Sequence, residues 1–95
     1  MGYFFTAFTE NGFTYLGNEN AISGCEMVAV SPSFETRNRI LKYKVYEINN
    51  MMVFLLLEYY DKNVGLINSY TFQKFHEIDC SIVTYLLCLR YEVEH

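Results

Sequence analysis

The fold is decided by the stretch Met51-Met52-Val53-Phe54-Leu55-Leu56-Leu57, which is seven apolar residues in a row in a chain of 95. Consecutive side chains of a strand point to opposite faces, so a strand made of these residues has to bury both faces. The run is far shorter than the ~20 residues that a membrane-spanning helix needs. We therefore interpret it as the central strand of one domain over residues 1–95.

Residues 39–60 form a predicted hairpin around the turn signal Asn49-Asn50. In its first arm, apolar side chains alternate with lysines, which is the pattern of a strand with one buried and one solvated face. The apolar positions are Leu41, Tyr43 and Val45, and the lysines are Lys42 and Lys44.

The length of the turn decides which face of the second arm is buried. A tight loop made only of Asn49-Asn50 would pair Lys44 with Leu55. This register predicts Phe54 and Leu56 on the core side, and it places Leu55 beside the lysines.

The N-terminal residues predict a second hairpin. Tyr3–Thr9 is rich in aromatic and β-branched residues, and Asn11-Gly12 is a preferred pair for a type I′ turn. Phe13–Leu16 is the predicted returning strand. Both faces of this hairpin carry aromatic side chains, so one face is expected to be covered or to contact another chain, which leaves a homo-oligomer open.

Two further strands and one helix are predicted between and after these hairpins. The strands are Cys25–Ser31 and Leu66–Phe72. Ser31-Pro32 has the composition of a helix start, with Ser as N-cap and Pro at the first helical position. It predicts a short helix over 32–39.

The C-terminal stretch 80–93 carries two conflicting signals. Apolar residues alternate with polar ones from 87 to 93, which favours a strand, whereas Asp79 stands at a capping position for a helix. We favour the strand. The predicted fold is therefore mainly β, with α+β as the alternative: a single antiparallel sheet, barrel or sandwich of about six strands.

The negative charge of the chain is concentrated in its N-terminal third. The net charge is −4, and residues 1–36 contain no lysine or arginine, while 37–95 are balanced. An acidic domain repels phosphate backbones, so direct nucleic-acid binding is disfavoured and a basic protein partner is favoured. The acids of this third are Glu10, Glu19, Glu26 and Glu35.

The cysteines and the termini indicate the compartment. Three cysteines without a CxxC pair favour reduced, buried thiols, and no signal peptide or membrane span is recognisable. We expect a soluble, cytoplasmic protein. Met1-Gly2 and Val93-Glu94-His95 fit residues added by cloning as well as they fit native sequence, so His95 receives no functional weight.

No motif in the sequence carries a recognisable chemistry. Phosphate-binding, nucleophile-elbow, zincin and EF-hand patterns are all missing. His76 stands four residues before Cys80, but no third group is placed to orient a Cys–His pair. A zinc site from these two residues with Cys25 and Cys88 would need positions that strand geometry keeps far apart. We therefore predict no enzyme, no metal and no cofactor.

The tyrosines are the best signal for a contact surface. The chain has nine, and tyrosine is favoured at interfaces because its ring is apolar and its hydroxyl is polar. The residues predicted to contact a partner are Tyr43, Tyr46, Tyr59 and Tyr60, together with Glu10, Glu19, Glu26 and Glu35.

A small, acidic chain without catalytic motifs resembles, as a class, the inhibitors that neutralise toxins or defence nucleases. Bacterial immunity proteins, antitoxins and phage anti-defence proteins are of this kind. The resemblance implies a protein partner with a basic, nucleic-acid-acting surface. One alternative is a small β-barrel that binds a small ligand or single-stranded nucleic acid through Lys42, Lys44 and tyrosines. Another is a structural subunit of a larger assembly.

Overall fold

The chain forms one open antiparallel sheet with helical segments packed on one of its faces. The computed structural model describes residues 2–17, 22–49, 52–75 and 78–86. Within them, the six strands are β1 (Thr14–Gly17), β2 (Glu26–Val30), β3 (Phe34–Glu35), β4 (Arg39–Ile48), β5 (Met52–Asp61) and β6 (Gly65–Phe75). Helix α1 (Gly2–Glu10) precedes them, and residues 80–86 are helical after them. The prediction of a mainly β fold with a single sheet is confirmed.

Strand β5 lies at the centre of the sheet. The strand order is β1-β6-β5-β4-β2, with β3 pairing with β4 beside β2. Both neighbours pair with β5 along its whole length, and residues 53–58 are all buried. The apolar run therefore is the central strand that its composition predicts, because its side chains are removed from solvent on both faces.

The predicted register of the central hairpin is wrong by one residue. Ile48 pairs with Met52, so three residues, 49–51, separate the paired positions. Asn49 adopts a positive φ of 55°, a conformation that asparagine tolerates better than most residues. Two adjacent asparagines fit a tight loop and a longer loop equally well, so the sequence does not decide between them.

The shift of one residue exchanges the two faces of β5. Leu55 pairs with Val45 and Leu57 pairs with Tyr43, so these leucines lie in the core. Leu56 pairs with Lys44, and it therefore lies on the face that carries the lysines.

The predicted N-terminal strand over 3–9 is also wrong, because α1 occupies this region. Gly12, with a φ of 87°, ends the helix. The N–H of Phe13 donates to the carbonyl of Phe8 at 3.2 Å, and the N–H of Gly12 donates to the carbonyl of Thr9 at 3.2 Å. This is a Schellman end, and the rings of Phe8 and Phe13 supply its apolar contact at 5.4 Å. Asn11-Gly12 thus ends a helix and does not join two strands.

The predicted helix over 32–39 does not form, and β3 lies there instead. The Ser31 hydroxyl does not cap a helix, since it accepts a hydrogen bond from the N–H of Tyr43 at 2.8 Å and donates to the carbonyl of Pro32 at 2.8 Å. The N–H of Ser31 donates to the carbonyl of Tyr43 at 2.9 Å. Ser31 therefore extends the pairing of β2 with β4, which outweighs the local cap signal.

The favoured strand interpretation is wrong for residues 80–86, which are helical. Asp79 caps this segment: its Oδ1 accepts hydrogen bonds from the N–H of Ser81 at 2.9 Å and from the Ser81 hydroxyl at 2.6 Å. These hydrogen bonds lower the pKa of Asp79. The alternation over 87–93 lies outside the described residues.

The core lies between the sheet and the two helical segments. Phe8 of α1 stacks on Phe72 of β6 with ring centroids 5.0 Å apart. Val83 and Leu86 of the C-terminal segment belong to the same cluster. The other buried members are Phe13, Leu41, Tyr43, Val45, Leu55, Leu57 and Tyr70.

Truncation of Leu57 tests this arrangement. Leu57 has no solvent-accessible surface, so Leu57→Ala should lower the free energy of unfolding by about 2–5 kcal/mol. Urea denaturation at neutral pH measures the change. The control Val64→Ala alters a side chain that is 76% exposed, and it should change the free energy by no more than about 0.5 kcal/mol. Equal effects of the two substitutions would contradict the assignment of Leu57 to the core.

Candidate protein-binding surface

The face of the sheet that points away from the packed helical segments is the candidate surface, and we call it the open face. Strand alternation and the observed registers place its side chains. They are Met27 and Val30 of β2, Ile40, Lys42, Lys44, Tyr46 and Ile48 of β4, Met52, Phe54, Leu56, Glu58 and Tyr60 of β5, and Ser69, Thr71, Gln73 and Phe75 of β6.

The centre of the open face combines the buried side chains of Phe54 and Leu56 with paired charges. Nζ of Lys44 lies 3.2 Å from Oε1 of Glu58. The Glu58 carboxylate raises the pKa of Lys44, and partial burial opposes this effect. Nζ of Lys42 lies 4.9 Å from the centroid of the Tyr60 ring, which is within cation–π range. Both lysines are therefore engaged with neighbouring side chains.

Two side-chain oxygens at this centre are buried without a hydrogen-bond partner among the described residues. Oε1 of Glu58 and Oγ1 of Thr71 are shielded from solvent and receive no well-directed hydrogen bond from a described residue. For Glu58, the nearby Lys44 ammonium compensates the charge without hydrogen-bond geometry. Burial, followed by the charge of Glu58, raises the pKa of Tyr60. The Glu58 charge is thus compensated mainly by the Lys44 ammonium.

One end of the open face is apolar and exposed, and we call it the apolar patch. It consists of Met27, Val30, Tyr46, Ile48, Met52 and Phe75. Ile48, Met52 and Phe75 stand side by side on three adjacent strands. The exposed fractions are 50% for Met27, 54% for Val30, 39% for Ile48 and 65% for Phe75. Contiguous exposed apolar side chains of this kind are typical of interaction sites.

The four predicted tyrosines divide between the two faces. Tyr43 is buried; its hydroxyl donates to the carbonyl of Cys80 at 3.5 Å and shares a hydrogen bond with the Thr84 hydroxyl at 3.4 Å. It therefore anchors the C-terminal helical segment and does not belong to a contact surface. Tyr59 packs against the core, whereas Tyr46 and Tyr60 lie half-buried on the open face.

The predicted glutamates do not form one surface. Glu10 is exposed at the end of α1, which contacts β1 at one edge of the sheet. Glu26 and Glu35 are exposed on β2 and β3 at the opposite edge, where Oε1 of Glu35 lies 3.3 Å from Nζ of Lys62. Glu19 lies outside the described residues. Glu26 is next to Met27 in β2, but its register with Glu47 places its side chain on the face opposite the apolar patch.

Sequence reasoning missed the exposed apolar members of the patch. Ile48 and Phe75 join it because their strands pair with Met52 from either side. Ile48 belongs to the predicted alternating strand, whereas Phe75 lies beyond the predicted strand Leu66–Phe72, because β6 extends to Phe75. The face that they occupy follows only from the correct register. Strict alternation places Met27 and Val30 on opposite faces of a strand, and only the bulge between Met27 and Ala29 brings them to the same face. Nothing in the sequence shows this bulge or that the strand lies at an edge.

The residues considered for metal or thiol chemistry are separated or not described. Cys25 is half-buried and Cys80 is exposed, so the expectation of buried thiols is wrong for Cys80. His76 and Cys88 lie outside the described residues. Within the described part of the chain, no group of three His, Cys, Asp or Glu residues could hold a metal ion. The same residues contain no helix long and apolar enough to cross a membrane.

Comparisons with family models, curated proteins and solved structures give no match to this chain. Its function is therefore inferred from its own surface.

The ion pair at the centre of the open face can be tested by Lys44→Met. The substitution leaves the Glu58 carboxylate, whose side chain is only 10% exposed, without its cation. We expect the free energy of unfolding at neutral pH to fall by about 1–3 kcal/mol. Urea denaturation at neutral pH measures it.

The double variant Lys44→Met/Glu58→Gln is the matched control, because it removes both charges. At neutral pH its free energy of unfolding should be higher than that of Lys44→Met, because no uncompensated carboxylate is left. An equal or lower value would show that Glu58 does not carry the effect.

The buried hydroxyl of Tyr43 predicts a loss of stability in alkali. Burial raises the pKa of Tyr43 above its ordinary value near 10, so the stabilising effect is complete below that pH and disappears as the pH rises through the folded-state value. Tyr43→Phe should therefore flatten the decline of unfolding free energy from about pH 9 to about pH 11. The control Tyr85→Phe removes a hydroxyl from an exposed ring. If both variants decline with the same slope, burial of Tyr43 is not the cause.

Proposed function

We propose that this chain is a small, non-enzymatic protein-binding module that acts as an inhibitor. Its partner would be a basic protein, such as a toxin or a nuclease, whose working surface it covers. The single observation that supports the proposal is the apolar patch, because exposed apolar side chains on three adjacent strands cost solvation free energy unless a partner buries them.

The composition of the patch is that of a protein interface. Aromatic residues and methionine are enriched in interface centres, and charged residues are depleted there. The patch joins Phe75 and Tyr46 to Met27 and Met52 and contains no charged residue. Lys44 and Glu58 lie beside it on the same face, where a polar rim is expected.

The charge of the chain supports a basic partner. A net charge of −4 attracts a positive surface over long range and raises the association rate. Glu10 and Glu26 are exposed on different edges, so their contribution is one of steering and not of a shared contact. In the cell, the chain would act as immunity or anti-defence proteins do, by inhibiting its partner in the cytoplasm.

A ligand or single-stranded nucleic acid held by the lysines has less support. Lys42 lies over Tyr60 and Lys44 is paired with Glu58, so neither ammonium is directed away from the protein as a phosphate contact requires. The sheet is also open, and the barrel of that alternative is therefore missing.

The test is capture of a partner by the wild type and by Ile48→Ser/Phe75→Ser, which removes apolar surface from the patch. The matched control is Val64→Ser/Ile67→Ser, which removes exposed apolar surface elsewhere. We expect the patch variant to bind the captured protein at least about 30-fold more weakly, and the control to bind as wild type does. Titration of the chain should then abolish the catalytic activity of that protein at equimolar amounts.

Three results would overturn parts of the proposal. Equal binding by the patch variant would exclude the open face as the site. An association rate that does not depend on salt would remove the electrostatic steering. A captured protein that keeps its activity at saturation would exclude inhibition and favour a structural subunit, which sedimentation of the mixture would reveal as a stable assembly.

A further inference from the structure

Strand β2 forms an edge of the sheet. It pairs with β4 on one side, and within the described residues no strand pairs with its other side. Edge strands present unpaired N–H and C=O groups, and proteins usually protect them with lysine, proline or a covering element. β2 reads Glu-Met-Val-Ala-Val and has neither residue. The opposite edge, β1, is contacted by α1.

The side chains of β2 are apolar and accessible. Met27, Val28 and Val30 are 50%, 47% and 54% exposed. Val28 stands at a bulge, where the register with β4 shifts between Met27 and Ala29. A bulge twists the strand, so the regular part of this edge is short. It can accept only a short extended segment.

The end of this edge carries an unfavourable charge pair. Glu26 and Glu47 are directly opposite each other on β2 and β4. Like charges in this arrangement destabilise a sheet. The ion pairs of the described residues join Arg39 to Asp61, Lys44 to Glu58 and Lys62 to Glu35, so none of them compensates this pair.

We propose that β2 is the docking edge for an extended segment of the partner, which adds an antiparallel strand and places a lysine or arginine opposite Glu26. The inference rests on the proposed protein-binding function and names the mode of contact. Main-chain hydrogen bonds supply affinity in strand addition, and alternate side chains supply specificity. A cation opposite Glu26 neutralises that carboxylate directly and so weakens its repulsion of Glu47, which lies one strand further into the sheet.

The register of β2 defines the sequence of the segment. A residue opposite Met27 or Val30 extends the apolar patch and should be apolar, while one opposite Ala29 faces the helix side and should be small. Because the pairing is antiparallel, the segment reads apolar, small, any residue, apolar and cation from its N-terminus. This pattern matches the basic partner that the net charge favours.

A second copy of the chain fits the edge less well. Antiparallel self-pairing centred on Val28 would set Glu26 opposite Val30 of the copy. The Glu26–Glu47 pair of each copy would then stay without a compensating cation. Charge complementarity therefore favours a cationic segment over a homodimer.

The probe is the capped peptide Thr-Val-Ala-Thr-Val-Lys-Thr, titrated into the full ¹⁵N-labelled chain and followed by amide chemical shifts. We expect saturable shifts in β2. Two matched peptides serve as controls: one with the lysine replaced by glutamate, and one with alternate backbone nitrogens methylated. The first should bind at least about fivefold more weakly at low salt, and the second should not bind, because it lacks the donors of a ladder.

Variants of the chain test whether the charge of Glu26 contributes to peptide binding. Glu26→Gln should weaken binding of the lysine peptide severalfold and lower its salt dependence, whereas Glu10→Gln, which removes the same charge at the other edge of the sheet, should have a much smaller effect on both. Val28→Lys should abolish binding by protecting the edge. The fold of each variant is checked by the dispersed amide shifts of β5, so a loss of binding is not confused with unfolding.

Three results would overturn the inference: no shift in β2 at about 1 mM peptide, shifts at β1 instead, or equal binding of the glutamate peptide. Shifts in β2 that depend on the concentration of the chain alone would identify a second copy as the occupant. Failure here, with patch-dependent capture intact, would leave the proposed function standing. Peptide binding without any captured inhibitory target would contradict that function and not the docking edge.

Discussion

The rest of the structure depends on the burial of β5 by its two neighbours. Both edges of the strand are paired along their whole length, and Leu55 and Leu57 on one face have no exposed surface. On the other face, Leu56 and Glu58 are nearly as inaccessible. Because Glu58 is buried, its negative charge needs a nearby cation. Nζ of Lys44 on the adjacent strand lies 3.2 Å from Oε1 of Glu58.

The two faces of the sheet therefore differ in packing and in composition. The face under α1 and the C-terminal segment is filled by aromatic and aliphatic side chains, and Tyr43 joins it to the last helical segment through its hydroxyl. The open face joins a centre with paired charges to an exposed apolar end. The exposed end of the second face contributes little to this packing, so substitutions of Ile48 and Phe75 should alter binding without loss of the fold.

The fold class was predictable because a long apolar run and an alternating strand carry strong, local signals. Features that depend on competition between local and tertiary interactions, such as the type of an element or its register, were not predictable. Asn11-Gly12 is compatible with a hairpin turn and with a helix end. The contact of Phe8 with Phe72 favours the helix. Ser31 could cap a helix, but pairing with Tyr43 prevails. The patch escaped prediction because the loop is one residue longer than predicted, which places Met52, and not Met51, beside Ile48 and Phe75.

The three longest strands, β4, β5 and β6, follow one another in the chain and pair as neighbours. Such a meander closes only short loops, and it can assemble before distant parts of the chain meet. We infer that it nucleates folding. The helical segments and β1 come from the two ends of the described chain, so they dock later and open first. Transient opening would expose Phe72 and Leu57, and would give the molecule a route to aggregation that leaves its central strands intact.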